Sequence, residues 1–224
     1  MKQTVDYRNK KSLMYKLRKK RFNIFKEFLS KIRSLEQKDE LTILYAGGTL
    51  IYWETFNYTE LDHITILNLT IDEMSTYGKI NFAEGNALNL YQFKENEFDV
   101  VFSNSVIEHV GDYSRQQKMR DEILRVGKYS FIQTPNFYFP IEPHYRFPFF
   151  FLLSKAAKKY LLKTYHLRTR TKRKVPLDRK STDAEMNNIH LLKRKDIINL
   201  FPSNVLICER FFGFTKSFIT HSKL

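Results

Sequence analysis

At 224 residues, with 42% hydrophobic and 15% aromatic residues, the chain is long enough to bury a sizeable core and too apolar to be disordered as a whole. Its formal net charge of +14 is concentrated: residues 1–40 hold 13 Lys/Arg against 5 Asp/Glu, and residues 155–180 hold 11 against 1. A single cysteine, Cys208, set among apolar neighbours as an inert buried thiol, excludes an intramolecular disulfide and a cysteine-only zinc site. No run approaches the roughly 18 apolar residues that span a bilayer, and no signal-peptide pattern opens the chain, so a cytoplasmic protein is expected.

Residues 10–37 read as a basic amphipathic helix, with Leu13, Leu17, Ile24, Phe28, Ile32 and Leu35 as its apolar stripe. Two uses compete for it: packing on the domain that follows, or lying on an anionic membrane surface or nucleic acid. We treat 1–40 as an N-terminal extension and 41–224 as one domain. From Leu41 short apolar runs at 41–46, 63–68, 79–83, 98–103 and 128–134 alternate with helix-compatible stretches, the pattern of a parallel sheet covered on both faces. Asp112 is a candidate N-cap for the helix after the fourth strand, with Gly127 just past its end.

Pro135, Pro140, Pro143 and Pro148 then interrupt a segment dense in aromatics. Prolines preclude an ordinary helix and the aromatics resist a solvated loop, so about 135–190 is expected to form an inserted cover. Within it a short helix is expected over 151–165 and a basic irregular stretch over 166–188. Val205–Phe211 and Phe214–Thr220, around Gly213, read as an antiparallel hairpin.

The chemistry-bearing residues cluster where strands end. Ile43-Leu44-Tyr45-Ala46-Gly47-Gly48-Thr49 runs a strand into a glycine turn, where the backbone can approach a cofactor with no side chain between. Asn68 closes the second apolar run, Glu84-Gly85-Asn86-Ala87 follows the third, and Phe98 to Val110 takes the fourth through Ser103 and Asn104 to Glu108-His109. Gln133-Thr134-Pro135-Asn136 leads into Glu142-Pro143-His144, a polar pair held between prolines.

These segments, with Glu209-Arg210-Phe211-Phe212-Gly213-Phe214, resemble the class I S-adenosylmethionine-dependent methyltransferases, in particular a bacterial subgroup with the same Gln-Thr-Pro-Asn and Glu-Pro-His segments. The resemblance covers roughly residues 41–220. It implies an α/β, Rossmann-like methyltransferase fold, mostly parallel, closed by a C-terminal antiparallel hairpin. It implies S-adenosylmethionine as cofactor, bound by Ala46, Gly47, Gly48, Asn68, Asn86, Ala87, Ser103 and Asn104. Tyr45, Asn68 and Asn86 stand where the family commonly has acids; Asn68 still offers a donor and an acceptor to the ribose diol, and Asn86 a carbonyl to the adenine amino group. His144, helped by Glu142, is the first choice for acceptor orientation or general base, and His109 the second.

Glu108-His109 resembles a pair that holds a divalent metal in some quinone O-methyltransferases, but Ser105 replaces the further Glu, and adjacent helical residues diverge by about 100°. No metal is therefore expected. The expected activity is methyl transfer to a small-molecule, lipid-linked or glycan acceptor. The alternatives are a non-catalytic scaffold of the same fold, or a nucleic-acid methyltransferase using the basic segments; the oligomeric state stays open.

Overall fold

The computed structural model describes residues 9–56, 58, 62–71, 78–167, 169 and 171–224. In chain order the elements are α1 (Leu13–Glu36), β1 (Thr42–Ala46), α2 (Leu50–Thr55), β2 (His63–Asn68), β3 (Ile80–Glu84), β4 (Phe98–Asn104), α3 (Tyr113–Val126) and β5 (Gly127–Pro135). They continue with β6 (Ile141–Glu142), β7 (Phe147–Pro148), α4 (Lys155–Thr164), β8 (Tyr165–His166) and β9 (Thr171–Lys172). The chain ends with α5 (Arg179–Asn187), α6 (Arg194–Leu200), β10 (Val205–Phe211) and β11 (Phe214–His221). Strand order in the main sheet is β10-β11-β5-β4-β1-β2-β3, parallel through β4-β1-β2-β3 and antiparallel at β10-β11. No helix among the described residues is long and apolar enough to cross a membrane.

The chain divides into two compact units, which share the strand β5 and the helix α3 between them in sequence: Met1–Ser103 with Glu122–Phe131 and Ser222–Leu224, and Asn104–Asp121 with Ile132–His221. In the first, Ile43–Ala46 of β1 and Phe98–Ser103 of β4 are buried throughout, as strands covered on both faces must be. Helix α1 starts at Ser12, whose hydroxyl accepts from the Tyr15 amide, and stops at Gln37, which turns left-handed at φ 53°. Its buried face is Tyr15, Phe22, Phe25, Phe28, Leu29 and Ile32. Phe25 lies 4.4 Å from Phe102 and 5.0 Å from Phe131 between ring centroids, and Phe22 stacks on Phe56 at 4.5 Å.

The expected stripe is therefore corrected at its ends. Leu13 and Leu35, in the first and last turns, are 51% and 58% exposed, and the Phe22 and Phe25 rings take the burial instead. Lys16, Lys19, Lys20 and Lys26 stay on the solvent side. Gly127 is also reassigned: it opens β5, where a Cβ would come within 2.5 Å of the Val101 side chain, so close strand packing and not a helix cap demands the glycine.

Two buried aspartates fix this unit. Asp62, fully buried, accepts from the Leu41 amide at 2.7 Å and the Tyr58 hydroxyl at 2.6 Å, and pairs with Arg33. Burial and then the bond to Asp62 push the Tyr58 hydroxyl well above its usual pKa. Asp99 accepts from Lys38 at 2.6 Å and from the Thr42 amide at 3.0 Å, while its own amide donates to the Thr42 hydroxyl at 3.0 Å. Lys128 lies 3.4 Å away. These bonds tie the end of α1 to β1 and β4.

In the second unit, Asp112 caps α3 by accepting from the Arg115 amide at 3.0 Å. The β10–β11 hairpin turns on Phe212 and Gly213, both at positive φ (47° and 81°), as a two-residue turn matched to strand twist requires. The expected helix over 151–165 is shorter, Lys155–Thr164, after a one-turn 3-10 segment at Phe150–Leu152. The basic stretch is more ordered than its charge predicts, because Asp178 caps α5 through the Ser181 amide at 2.7 Å. Arg173 also bonds the Leu162 carbonyl at 3.0 Å and Glu185 at 2.8 Å. Phe150, Leu162 and Leu167 form the small core of this region.

The Asp99 cluster makes a prediction about acid stability. Burial alone would raise the Asp99 pKa, but Lys38 and Thr42 outweigh it and hold the carboxyl below its usual range. A depressed carboxylate contributes stability above the unfolded pKa of about 3.9, and the contribution is lost as pH falls through the lower folded value. Asp99→Asn is expected to cost about 2 kcal/mol at pH 7 in urea denaturation, and the difference from the native chain should shrink below about pH 4.

Candidate functional site

The cofactor residues expected from the sequence fall into two groups in the first unit, with Asn104 at the start of the second. At the carboxyl end of β1, Gly47 adopts φ +74° and its amide donates to the Leu67 carbonyl at 2.8 Å. That left-handed position favours glycine. Gly48 is buried, and a Cβ there would lie 1.9 Å from Tyr45 ring carbons. Tyr45 is itself packed among Tyr52, Trp53 and Phe102 at 4.9–5.6 Å. Asn68 donates its side-chain amide to the Gly48 carbonyl at 2.8 Å, and the buried Ser103 hydroxyl lies 3.5 Å from the Ala46 carbonyl.

Asn86 and Ala87 form a separate turn after β3. The Gly85 amide donates to the Asn68 carbonyl at 2.8 Å, so this turn starts beside the end of β2. The Asn86 side-chain oxygen accepts from the Leu88 amide at 3.0 Å, which leaves that oxygen a second lone pair beside the donors of its amide nitrogen.

In the second unit the three expected acceptor-side residues meet. After β4 the chain turns at Ser105, a non-glycine residue at φ 57°, whose amide and hydroxyl both bond Gln133 at 2.9 Å. A one-turn 3-10 helix, Ile107–His109, follows. Glu108 is fully buried there; one carboxylate oxygen accepts from the Thr134 hydroxyl at 2.9 Å and its backbone carbonyl accepts from the His190 amide at 2.8 Å. His144 Nδ1 is 2.7 Å from Glu142 Oε1, and its Nε2 is 3.1 Å from His109 Nε2 and 4.0 Å from Glu108 Oε1. A carboxylate only accepts, so Glu142 fixes the Nδ1–H form of His144.

Glu142 is buried, and its second oxygen accepts from the Tyr145 amide. Burial, followed by the charge of His144, pushes the His109 pKa below its usual value, with the Asn188 carbonyl and Glu142 opposing. His109 nevertheless reaches solvent. Burial and the Glu142 and Glu185 charges raise the Tyr145 hydroxyl, which donates to the Glu185 carbonyl at 3.0 Å.

Glu142 also forms part of the wall of a chamber of about 280 Å³. Phe137, Phe139, Tyr145, Phe150 and Met186 supply apolar surface, and Lys155 and Lys158 line it as well. Lys158 Nζ sits 5.4 Å from the Phe150 ring centroid. Two further residues belong to the site: Thr134, which the sequence does not single out, and Glu108, which it offers only as half of the Glu-His pair. Their signal was present: a carboxylate inside an apolar run, and a hydroxyl in Gln-Thr-Pro-Asn.

Residues 57–130 match the family model of the methyltransferase domain. Two uncharacterized proteins of Mycobacterium tuberculosis, from strains CDC 1551/Oshkosh and H37Rv, are each 37% identical to this chain over 57 residues. The match covers 25% of this chain and 20% of each relative, so it spans about a fifth of their length. Among solved structures, a protein of Pyrococcus horikoshii OT3 aligns over 96% of this chain and 93% of its own at a TM-score of 0.57 and 13% identity, which establishes the shared fold. A S-adenosylmethionine-dependent methyltransferase of Methanosarcina mazei aligns over 82% of this chain and 92% of its own, with a TM-score of 0.48 and 16% identity. The likeness to the methyltransferase domain thus rests on residues 57–130, and the chain shares the fold of the Pyrococcus horikoshii protein.

Proposed function

We propose that this chain transfers a methyl group from S-adenosylmethionine to a small amphipathic acceptor with an apolar body and an anionic group. The observation that carries the acceptor class is the chamber in the second unit. Its volume of about 280 Å³ suits one ring or a short acyl chain, and its aromatic wall offers apolar surface to such a body. Lys155 and Lys158 supply positive charge for a carboxylate or phosphate. Glu142 provides the polar part of the wall and links it to His144 and, through His144, to His109. In this reading these three residues orient the acceptor's reacting group.

The cofactor residues fit their group chemically. Gly47 supplies a turn with no side chain, Asn68 keeps an acceptor for a ribose hydroxyl, and Asn86 presents a donor suited to an adenine ring nitrogen. Ala46, Gly48, Ala87, Ser103 and Asn104 complete the proposed set. Bound S-adenosylmethionine supplies an electrophilic methyl group on sulfur. The chain's own task is to align, desolvate and hold the acceptor.

Calorimetry with S-adenosylhomocysteine tests the cofactor half. Asn68→Asp removes the donor to Gly48 and sets a carboxylate against its carbonyl, so affinity is expected to fall roughly 5- to 10-fold, the equivalent of about one hydrogen bond. Tighter binding by the variant would show that the ribose contact outweighs the Gly48 bond. No heat at millimolar ligand with folded native chain would favour a scaffold over an enzyme.

Methyl transfer to a panel of hydroxyaryl and hydroxyacyl carboxylates, phosphates and neutral analogues tests the acceptor half. Lys155→Glu combined with Lys158→Glu is expected to raise KM for the anionic members by about 10-fold or more and leave the neutral ones within a few fold. Equal effects on both sets would discard the anionic acceptor.

A further inference from the structure

Glu108, His109 and His144 have a geometry that acid–base work does not need. Their ligand atoms, Glu108 Oε1 and the two Nε2 atoms, all lie within 4.8 Å of one another. We propose that the three form a binding site for a divalent transition-metal ion, with zinc as the best match. This inference is independent of the acceptor assigned above.

Spacing is the first argument. Bonds of about 2.0–2.1 Å to nitrogen place two neighbouring ligands about 3.0–3.4 Å apart. The two imidazole nitrogens are already 3.1 Å apart. The widest pair lies within 4.8 Å, so an ion would draw the Glu108 oxygen inward by about 1–2 Å.

Orientation is the second. Metal-ligating histidines and carboxylates are held by an outer partner on the atom that does not bind the ion. Glu142 holds His144 through Nδ1 at 2.7 Å, leaving Nε2 to point inward. Thr134 holds Glu108 through Oε2 at 2.9 Å, leaving Oε1 to point inward. The inward atoms are the ones that converge.

The proposed site answers the two reasons for expecting no metal from the sequence. Ser105, where a further Glu is wanted, is left-handed and bonded to Gln133, but the third ligand comes from His144 in a different segment. Glu108 and His109 sit in a single 3-10 turn, and their long side chains bring their ligand atoms within 4.8 Å although their Cα–Cβ bonds diverge.

Two nitrogens and one carboxylate oxygen suit Zn²⁺, Co²⁺ or Fe²⁺ better than Mg²⁺ or Ca²⁺, which take oxygen ligands. Three protein ligands leave at least one coordination position open, the arrangement of a site that binds a further oxygen ligand and not of a closed structural site. His109 reaches solvent, which provides an entry path.

The test uses the full chain after stripping with a chelator, titrated with Co²⁺ and then Zn²⁺. One equivalent of Co²⁺ should give a visible d–d band, and one equivalent of Zn²⁺ should abolish it. His109→Ala and His144→Ala are expected to weaken binding by about 10²-fold or more and to lose the band, with circular dichroism confirming the fold. Should His144→Ala unfold, His109→Ala at its exposed position carries the same test. Glu142→Gln, a positioning change, is expected to weaken Co²⁺ binding about 10- to 100-fold and to shift the band without removing it. Native chain that takes up no stoichiometric Co²⁺, or histidine variants that bind like it, would overturn the site. Metal uptake is read with neither cofactor nor acceptor present. Retained uptake with no S-adenosylhomocysteine heat therefore counts against the methyltransferase reading alone, and the reverse result against the metal alone.

Discussion

The second unit is organised by the need to bury one carboxylate. Burying the polar carboxyl of Glu108 costs stability unless hydrogen bonds compensate. Thr134 at the end of β5 supplies the bond, and His144 from the cover stands 4.0 Å from the other oxygen. The Thr134 bond thus fixes the end of β5 to this turn, and the bond of His144 to Glu142 holds the proline-bound segment that follows it. The backbone of the same turn binds the return segment: the His190 amide donates to the Glu108 carbonyl, and buried Gln116 donates to the His190 carbonyl at 2.8 Å. Ser105 bears the conformational cost of about 1–2 kcal/mol for its left-handed backbone, offset by its two bonds to Gln133.

The first unit uses buried carboxylates differently. Asp62 lies just before β2 and Asp99 near the start of β4, so both lock the amino ends of strands to α1 through Arg33 and Lys38. The carboxyl ends of β1 and β2 carry Gly47, Gly48 and Asn68, neutral groups bonded to each other and to Leu67. Charge thus stabilises the edge far from the proposed cofactor contacts. The contacts themselves lack the extra strength that a carboxylate gives to a hydrogen bond.

The strands were legible because burial on both faces forces continuous apolar runs, and β1 to β5 fall within about a residue of the expected spans. The hairpin was legible because Gly213 marks it. The face of α1 was less so: leucines and isoleucines carry the visible period, yet Phe22 and Phe25 fill the core and Arg21 is buried beside them. Helix α5 was hidden by its charge, since nothing in a basic stretch reveals that Arg173 will pin it to Leu162 and Glu185. Glu142 and His144 could be read as a pair from their prolines. Their meeting with His109, 35 residues earlier in the chain, depends on the left-handed turn at Ser105 and could not be read.

Tyr45 shows how one replacement changes the meaning of its neighbour. Read from the sequence, it is the residue standing in place of an acid, and Gly48 is a cofactor glycine. In the structure the Tyr45 ring fills the space that a Gly48 side chain would need. Gly48 is therefore required by packing within this chain, whatever binds above it. Gly47 differs: its positive φ and its bond to the Leu67 carbonyl shape the turn itself, and it remains exposed where Gly48 is buried. The two adjacent glycines answer separate physical demands. Only Gly47 offers an open backbone for a ligand to approach, and Asn68, by holding the Gly48 carbonyl, keeps that backbone in place.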